Sequence, residues 1–209
     1  MLIGPDQAVG FLAAAAVITL APGPDILMVL SLGAARGPRA GIVFGLGCAC
    51  GCLSHTVLAA LGVSVLIAAS PWAFGVLRLC GGGYLIWLGL KALSTPAGAP
   101  AGVAGAITGP VAALFRRGLV ANALNPKVIL FFLAFLPQFV SPSRGTPGLQ
   151  MAQFGVLFTL QAAALFALTG AAAGRVGTWL GRRPGFGRWL DRGTGVLFVG
   201  LGLKLILVP

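Results

Sequence analysis

The sequence predicts an all-α membrane protein of six transmembrane helices, arranged as two inverted three-helix repeats with the first and fourth helices broken. Three observations carry that prediction. A mean hydropathy of +1.01, with 58% apolar and 8% charged residues, is the balance of an integral membrane protein. Apolar runs long enough to cross a bilayer recur along nearly all 209 residues, so no separate soluble domain fits. The first and fourth runs each contain a proline-bearing interruption followed at once by a charge.

The first run extends from about Ala8 to Leu32 and is interrupted at Ala21-Pro22-Gly23-Pro24-Asp25. The two prolines remove two backbone donors and crowd the preceding turn, while Gly23 adds freedom between them. Water would repair such a break in a soluble protein. In lipid the freed carbonyls need protein or a water-filled cavity around them. Asp25 falls on the first turn after the break, near the positive end of the resumed helix. An intramembrane carboxylate at a broken helix is costly enough to read as a site.

Arg36-Gly37-Pro38-Arg39 closes this run, and a second follows from about Ala40 to Ala68. Gly37, Gly41 and Gly45, and again Gly47 and Gly51, are four residues apart, a spacing that lets helix backbones approach closely in lipid. Cys48 and Cys52 share a helix face and Cys50 does not. With no nearby His, Asp or second cysteine pair, they read as small packing residues, and no metal site is expected. Ser54 and His55, the only histidine, come next.

Ser70-Pro71-Trp72 makes a turn, with Trp72 suited to a membrane interface. The third run covers about Ala73 to Leu93, with Arg78 and Lys91 near its ends and able to snorkel. A linker without charge or periodicity, about residues 94–115, then divides the chain into repeats of about 1–93 and 116–209 within one membrane domain. Arg116-Arg117 introduces the fourth run, about Gly118 to Val140, broken at Asn125-Pro126-Lys127. The fifth spans about Gly148 to Ala173 and carries Gln153 and Gln161. Arg175, Arg182, Arg183, Arg188 and Arg192 fill the next loop, and a sixth run covers about Gly193 to Val208.

Orientation follows from the basic residues. The loops after runs one, three and five hold Arg36, Arg39, Arg116, Arg117 and the five later arginines, whereas the other side has only Arg144 in a loop. Both termini are expected on the non-cytoplasmic side. Asp6 and the absence of an early Lys or Arg argue against a cleaved signal peptide, so the first run reads as a retained span. The net charge of +11 is dispersed as topology signals rather than gathered into a nucleic-acid surface. Lipid is the expected surroundings.

Three spans per half is an odd number, so the second copy must cross inverted. Paired interrupted helices in inverted halves point to a transporter site near the midplane, where the breaks meet. Asp25 there suits an ammonium and can balance Lys127, while Lys127 or freed backbone groups suit a carboxylate. The chain has no Glu, and Asp6 and Asp191 lie away from the centre, so a neutral zwitterion suits the site better than a dibasic amino acid. Asp25 and His55 are the intramembrane candidates for proton coupling, with Asp25 favoured because it alone sits at a break. His55 otherwise reads as a hydrogen-bonded packing histidine.

Ordered motifs add to this reading. Pro22-Gly23-Pro24-Asp25, the glycine-spaced second run ending in His55, and Gly83-Tyr84-Leu85-Ile86-Trp87-Leu88-Gly89 are three of them. Phe115-Arg116-Arg117-Gly118, Asn122-Ala123-Leu124-Asn125-Pro126-Lys127, Phe131-Phe132 and Leu136-Pro137-Gln138-Phe139-Val140 continue the series. Together they resemble the lysine-exporter/threonine-homoserine-exporter (LysE/RhtB) family over nearly the whole chain. That resemblance implies a bacterial inner-membrane secondary exporter of amino acids or close derivatives, coupled to proton exchange. Suitable neutral substrates are threonine, homoserine or branched-chain amino acids. The expected substrate-binding set is Pro22, Gly23, Pro24, Asp25, Asn122, Asn125, Pro126 and Lys127. A homodimer is compatible with these features.

No phosphate-binding Gly-Lys-Ser/Thr motif is present, and the exporter needs no cofactor. An enzyme is not expected, because one histidine without paired carboxylates leaves few parts for an intramembrane hydrolase. The competing class is a six-span thiol–disulfide carrier, which wants reactive cysteines at the breaks. Runs one and four contain none.

Overall fold

The computed structural model describes residues 3–63, 65, 69–94, 110–181 and 184–207, and its regular structure there is entirely helical. Most of the linker, Arg182, Arg183 and the ends of the second and sixth runs lie outside the described residues.

Prolines punctuate the chain. Helix α1, Pro5–Leu20, starts with Pro at its first turn, where the missing N–H has no intrahelical role. The Gly4 N–H donates to Gln7 Oε1 at 2.8 Å, and Gln7 Nε2 donates to the Phe139 carbonyl at 2.9 Å. Helix α1 stops where Pro22 and Pro24 withdraw their donors, and α2, Pro24–Arg36, resumes at a bend of 58°. Gly37 has φ +88°, a left-handed cap that favours glycine. It separates α2 from α3, Pro38–Val57, instead of sharing a helix face with Gly41 and Gly45 as the spacing suggested.

Helix α3 widens into a π-helical turn at Leu58–Val63, and α4 spans Pro71–Ser94. Helix α5, Val111–Ala123, begins before the expected Gly118 and takes in Arg116 and Arg117, which helix geometry accommodates well. The break at Asn125 leads into α6, Pro126–Leu130, followed by a π-helical turn at Phe131–Phe135 and 3₁₀ turns at Leu136–Phe139 and Pro142–Arg144. This second bent pair turns by 51°.

Helix α7 runs for 35 residues, Pro147–Gly181, and α8 covers Pro184–Leu207. At 1.5 Å per residue α7 is roughly 50 Å long, well beyond the ~30 Å apolar layer. The expected arginine loop is therefore mostly helix: Arg175 lies in α7, and Arg188 and Arg192 lie in α8. Arginine is a good helix former, and Pro184 at the first position of α8 is where the chain restarts.

Among the described residues Pro38–Val63, Trp72–Ser94 and Pro147–Val176 are long and apolar enough to cross a membrane, and counting each bent pair as one span brings the number to five. Helix α8 folds where the sixth run was expected but is not among those five. Helix α3 packs along α7 on one side and α5 on another, with α2 against both α3 and α7. Helices α4 and α8 pack on each other, α4 touching the π-turn at Phe131–Phe135. A Cβ on Gly47 would collide with the Phe115 carbonyl, and one on Gly118 with the Phe44 carbonyl. Backbone meets backbone at the α3–α5 crossing, which only glycine permits.

Candidate functional site

Both breaks converge on one centre, and its wiring follows from the donors that proline lacks. In a continuous helix residue 22 would donate to the Ile18 carbonyl, but Pro22 cannot. Lys127 supplies the substitute: its Nζ donates to Ile18 O at 2.9 Å and to Ala21 O at 3.1 Å. The ammonium thus sits on the negative end of α1. Gly23 makes the room, since a Cβ there would stand 2.9 Å from Lys127 Nζ.

The second break repeats the problem. Pro126 cannot donate to the Asn122 carbonyl, which instead accepts the Asn125 N–H at 2.9 Å and lies 3.1 Å from His55 Nε2. A carbonyl only accepts, so His55 carries its proton on Nε2, and its Nδ1 is buried without a partner. His55, which nothing in its local sequence tied to the breaks, stands beside one of them, packed against Phe132 with ring centroids 5.7 Å apart.

Asp25 cannot repeat the role of Lys127, because a carboxylate facing the carbonyl end of α5 would meet like charge. Asn122 resolves the conflict. Its Nδ2 donates to Asp25 Oδ2 at 2.7 Å, while Cys52 Sγ lies 3.4 Å from its Oδ1. Asp25 Oδ1 is buried and has no hydrogen-bond partner among the described residues. Asp25, Asn122 and Lys127 are 3%, 1% and 6% exposed, so these groups are withdrawn from bulk water.

Asp25 and Lys127 were expected to balance each other; among the described residues no hydrogen bond joins them, and what they share is a space. Both border a cavity of about 10 Å³, together with Ile18, Thr19, Cys52, Asn122, Val128, Phe158 and Phe166. That volume suits about one water molecule. Polar groups come from α1, α2, α3, α5 and α6, whereas α7 contributes two phenylalanines. Asn125 caps α6, its Oδ1 accepting the Lys127 N–H at 3.1 Å, and its Nδ2 is buried without a partner. Pro22, Pro24 and Pro126 act through the backbone they interrupt.

Sequence reasoning missed Thr19, Cys52, Phe158 and Phe166. A signal for the last two existed: Phe154, Phe158, Ala162 and Phe166 recur every four residues on one face of α7. Cys48 and Cys52 are buried and share that face of α3, Cys50 is half-buried, and Cys80 is exposed on α4. All four are free thiols. Among the described residues no cluster of His, Cys, Asp and Glu is arranged to hold a metal.

Comparison with known proteins places this architecture. The model of the LysE type translocator family matches residues 16–208. The chain belongs to the LysE family. Within it, the chain is 35% identical over 195 residues to an uncharacterized membrane protein of Pseudomonas aeruginosa, covering 90% of this chain and 89% of the relative. It is 36% identical over 151 residues to the leucine efflux protein of Klebsiella pneumoniae, covering 72% and 70%. The leucine efflux protein of Salmonella typhimurium is 30% identical over 198 residues, covering 93% and 92%. No solved structure matches. With its apolar helices, this family member is a multi-pass, all-α membrane protein.

Proposed function

We propose that this protein is a secondary exporter of neutral, zwitterionic amino acids of the bacterial inner membrane, working by proton antiport. The observation that carries the reading is the unpartnered Asp25 Oδ1 beside a cavity that Lys127 also borders. A substrate ammonium supplies the donor Oδ1 lacks, and a substrate carboxylate offers the Lys127 ammonium an alternative to the Ile18 and Ala21 carbonyls. A proton competes with the ammonium for Asp25, which is a physical route to exchange: one leaves as the other arrives. Relatives named leucine efflux proteins and the apolar wall of Ile18, Val128, Phe158 and Phe166 favour branched-chain side chains. In this reading α8 is the sixth span, the two halves are inverted repeats, and both termini face away from the cytoplasm.

The test uses purified protein in proteoliposomes. Counterflow and pH-gradient-driven export of leucine, threonine, homoserine and lysine are compared for wild type and Asp25→Asn. Wild type should carry neutral amino acids well above lysine, and Asp25→Asn at normal abundance should carry none. Preference for lysine, or full export by the variant, would overturn the proposal.

A further inference from the structure

We propose that the face of α7 formed by Phe158, Ala162 and Phe166 measures the substrate side chain and sets specificity. The inference rests on the export reading and adds the part of the protein that chooses among apolar substrates. Every polar group bordering the cavity comes from the broken spans or α3, so the zwitterion's charged end belongs there. The side chain is left to the apolar lining of Ile18, Val128, Phe158 and Phe166, whose two largest members come from α7. Phe158 and Phe166 both border the cavity, eight residues apart and so about 12 Å along the axis. Ala162, fully buried, lies midway between them on the same face and acts on the cavity only through these two rings, since it does not itself border it. The two rings are the wall that α7 gives the cavity, and Ala162 keeps the helix surface between them small, so a bulkier residue at 162 would crowd the rings.

The two rings are held differently. Phe158 is locked into an aromatic cluster, with ring centroids 4.9 Å from Phe132, 5.4 Å from Phe131 and 6.5 Å from Phe11. Phe132 in turn packs on His55 at 5.7 Å. Phe166 instead lies against Gly45, where a Cβ would collide with it. Each wall is backed by buried structure, so neither yields freely to a larger side chain. Phe154 belongs to the same cluster, 4.7 Å from Phe11 and 6.1 Å from Phe139, yet does not border the cavity. It is an internal control of equal size, on the same helix, one turn away.

The experiment is counterflow of labelled leucine in proteoliposomes, with unlabelled alanine and phenylalanine as competitors. Ala162→Val should shift the leucine-to-alanine KM ratio towards alanine, and Phe158→Ala the phenylalanine-to-leucine ratio towards phenylalanine, each by about tenfold, the usual scale for a pocket changed by a methylene or more. Phe154→Ala should lower abundance or overall rate while leaving both ratios within about twofold, far below that discrimination scale. If Phe158→Ala does not fold, Phe158→Leu carries the same expectation. Wild-type counterflow with ratios unmoved by the Phe158 and Ala162 variants, or moved equally by Phe154→Ala, overturns the selector alone. No wild-type counterflow of any of the three amino acids overturns the export reading and the selector with it.

Discussion

Asn122 joins three residues of the centre: it donates to Asp25, faces Cys52 through its amide oxygen, and takes His55 on its backbone carbonyl. Removing the amide leaves Asp25 Oδ2 buried without that donor. A hydrogen bond to a buried charge is worth about 2 kcal/mol, so Asn122→Ala should weaken substrate affinity by roughly 30-fold. Scintillation-proximity binding of labelled leucine checks this, and Asn122→Gln tests whether amide position matters as well as chemistry. The proton assignment has its own test. His55→Gln should retain counterflow and a useful share of gradient-driven export, because glutamine can still donate to the Asn122 carbonyl. Retained counterflow with gradient-driven export wholly lost would make His55 the coupling group. Asp25 and Lys127 were legible in the sequence because a proline's missing donor is a local property. The bonds of Asn122 were not, since its partners stand 97 and 67 residues away in the chain.

The two bent spans are elements whose sequence announced their position but not their detail. Pro22-Gly23-Pro24 and Asn125-Pro126 fix where each helix stops. The π-turns after His55 and after the second break have no such marker, because they arise where packing demands an extra residue per turn. The arginine-rich stretch misled for a related reason: charge was read as loop, although arginine favours helix and α7 simply extends past the apolar layer. Crossing geometry makes a firm prediction. Gly47→Leu places a branched side chain where the Phe115 carbonyl lies, and overpacking costs ~1–3 kcal/mol or more. The variant should show a lower melting temperature in detergent and a loss of monodisperse protein on size exclusion. Gly62→Leu, at a position where an added Cβ meets nothing within 4 Å, should leave both unchanged.

At the scale of the whole molecule the charge pattern sets orientation, and the proposed non-cytoplasmic termini can be read directly. Alkaline phosphatase fused after Pro209 should be active and a green fluorescent protein fused there dark; the reverse outcome would put the C-terminus in the cytoplasm and overturn the proposed orientation. The balance of charge at the centre has an electrical consequence as well. One acid and one base border the cavity, and in the proposed antiport the zwitterion adds no net charge, so the cargo-loaded crossing would do no work against the membrane potential. When a proton returns on Asp25 in place of the cargo, the moving centre carries one positive charge. An inside-negative potential then drives that step by about 2.3 kcal/mol per 100 mV for a full crossing. A potassium diffusion potential imposed on proteoliposomes should leave leucine counterflow unchanged and accelerate net export. Such a carrier is a rectifier, its outward stroke blind to voltage and its return stroke powered by it.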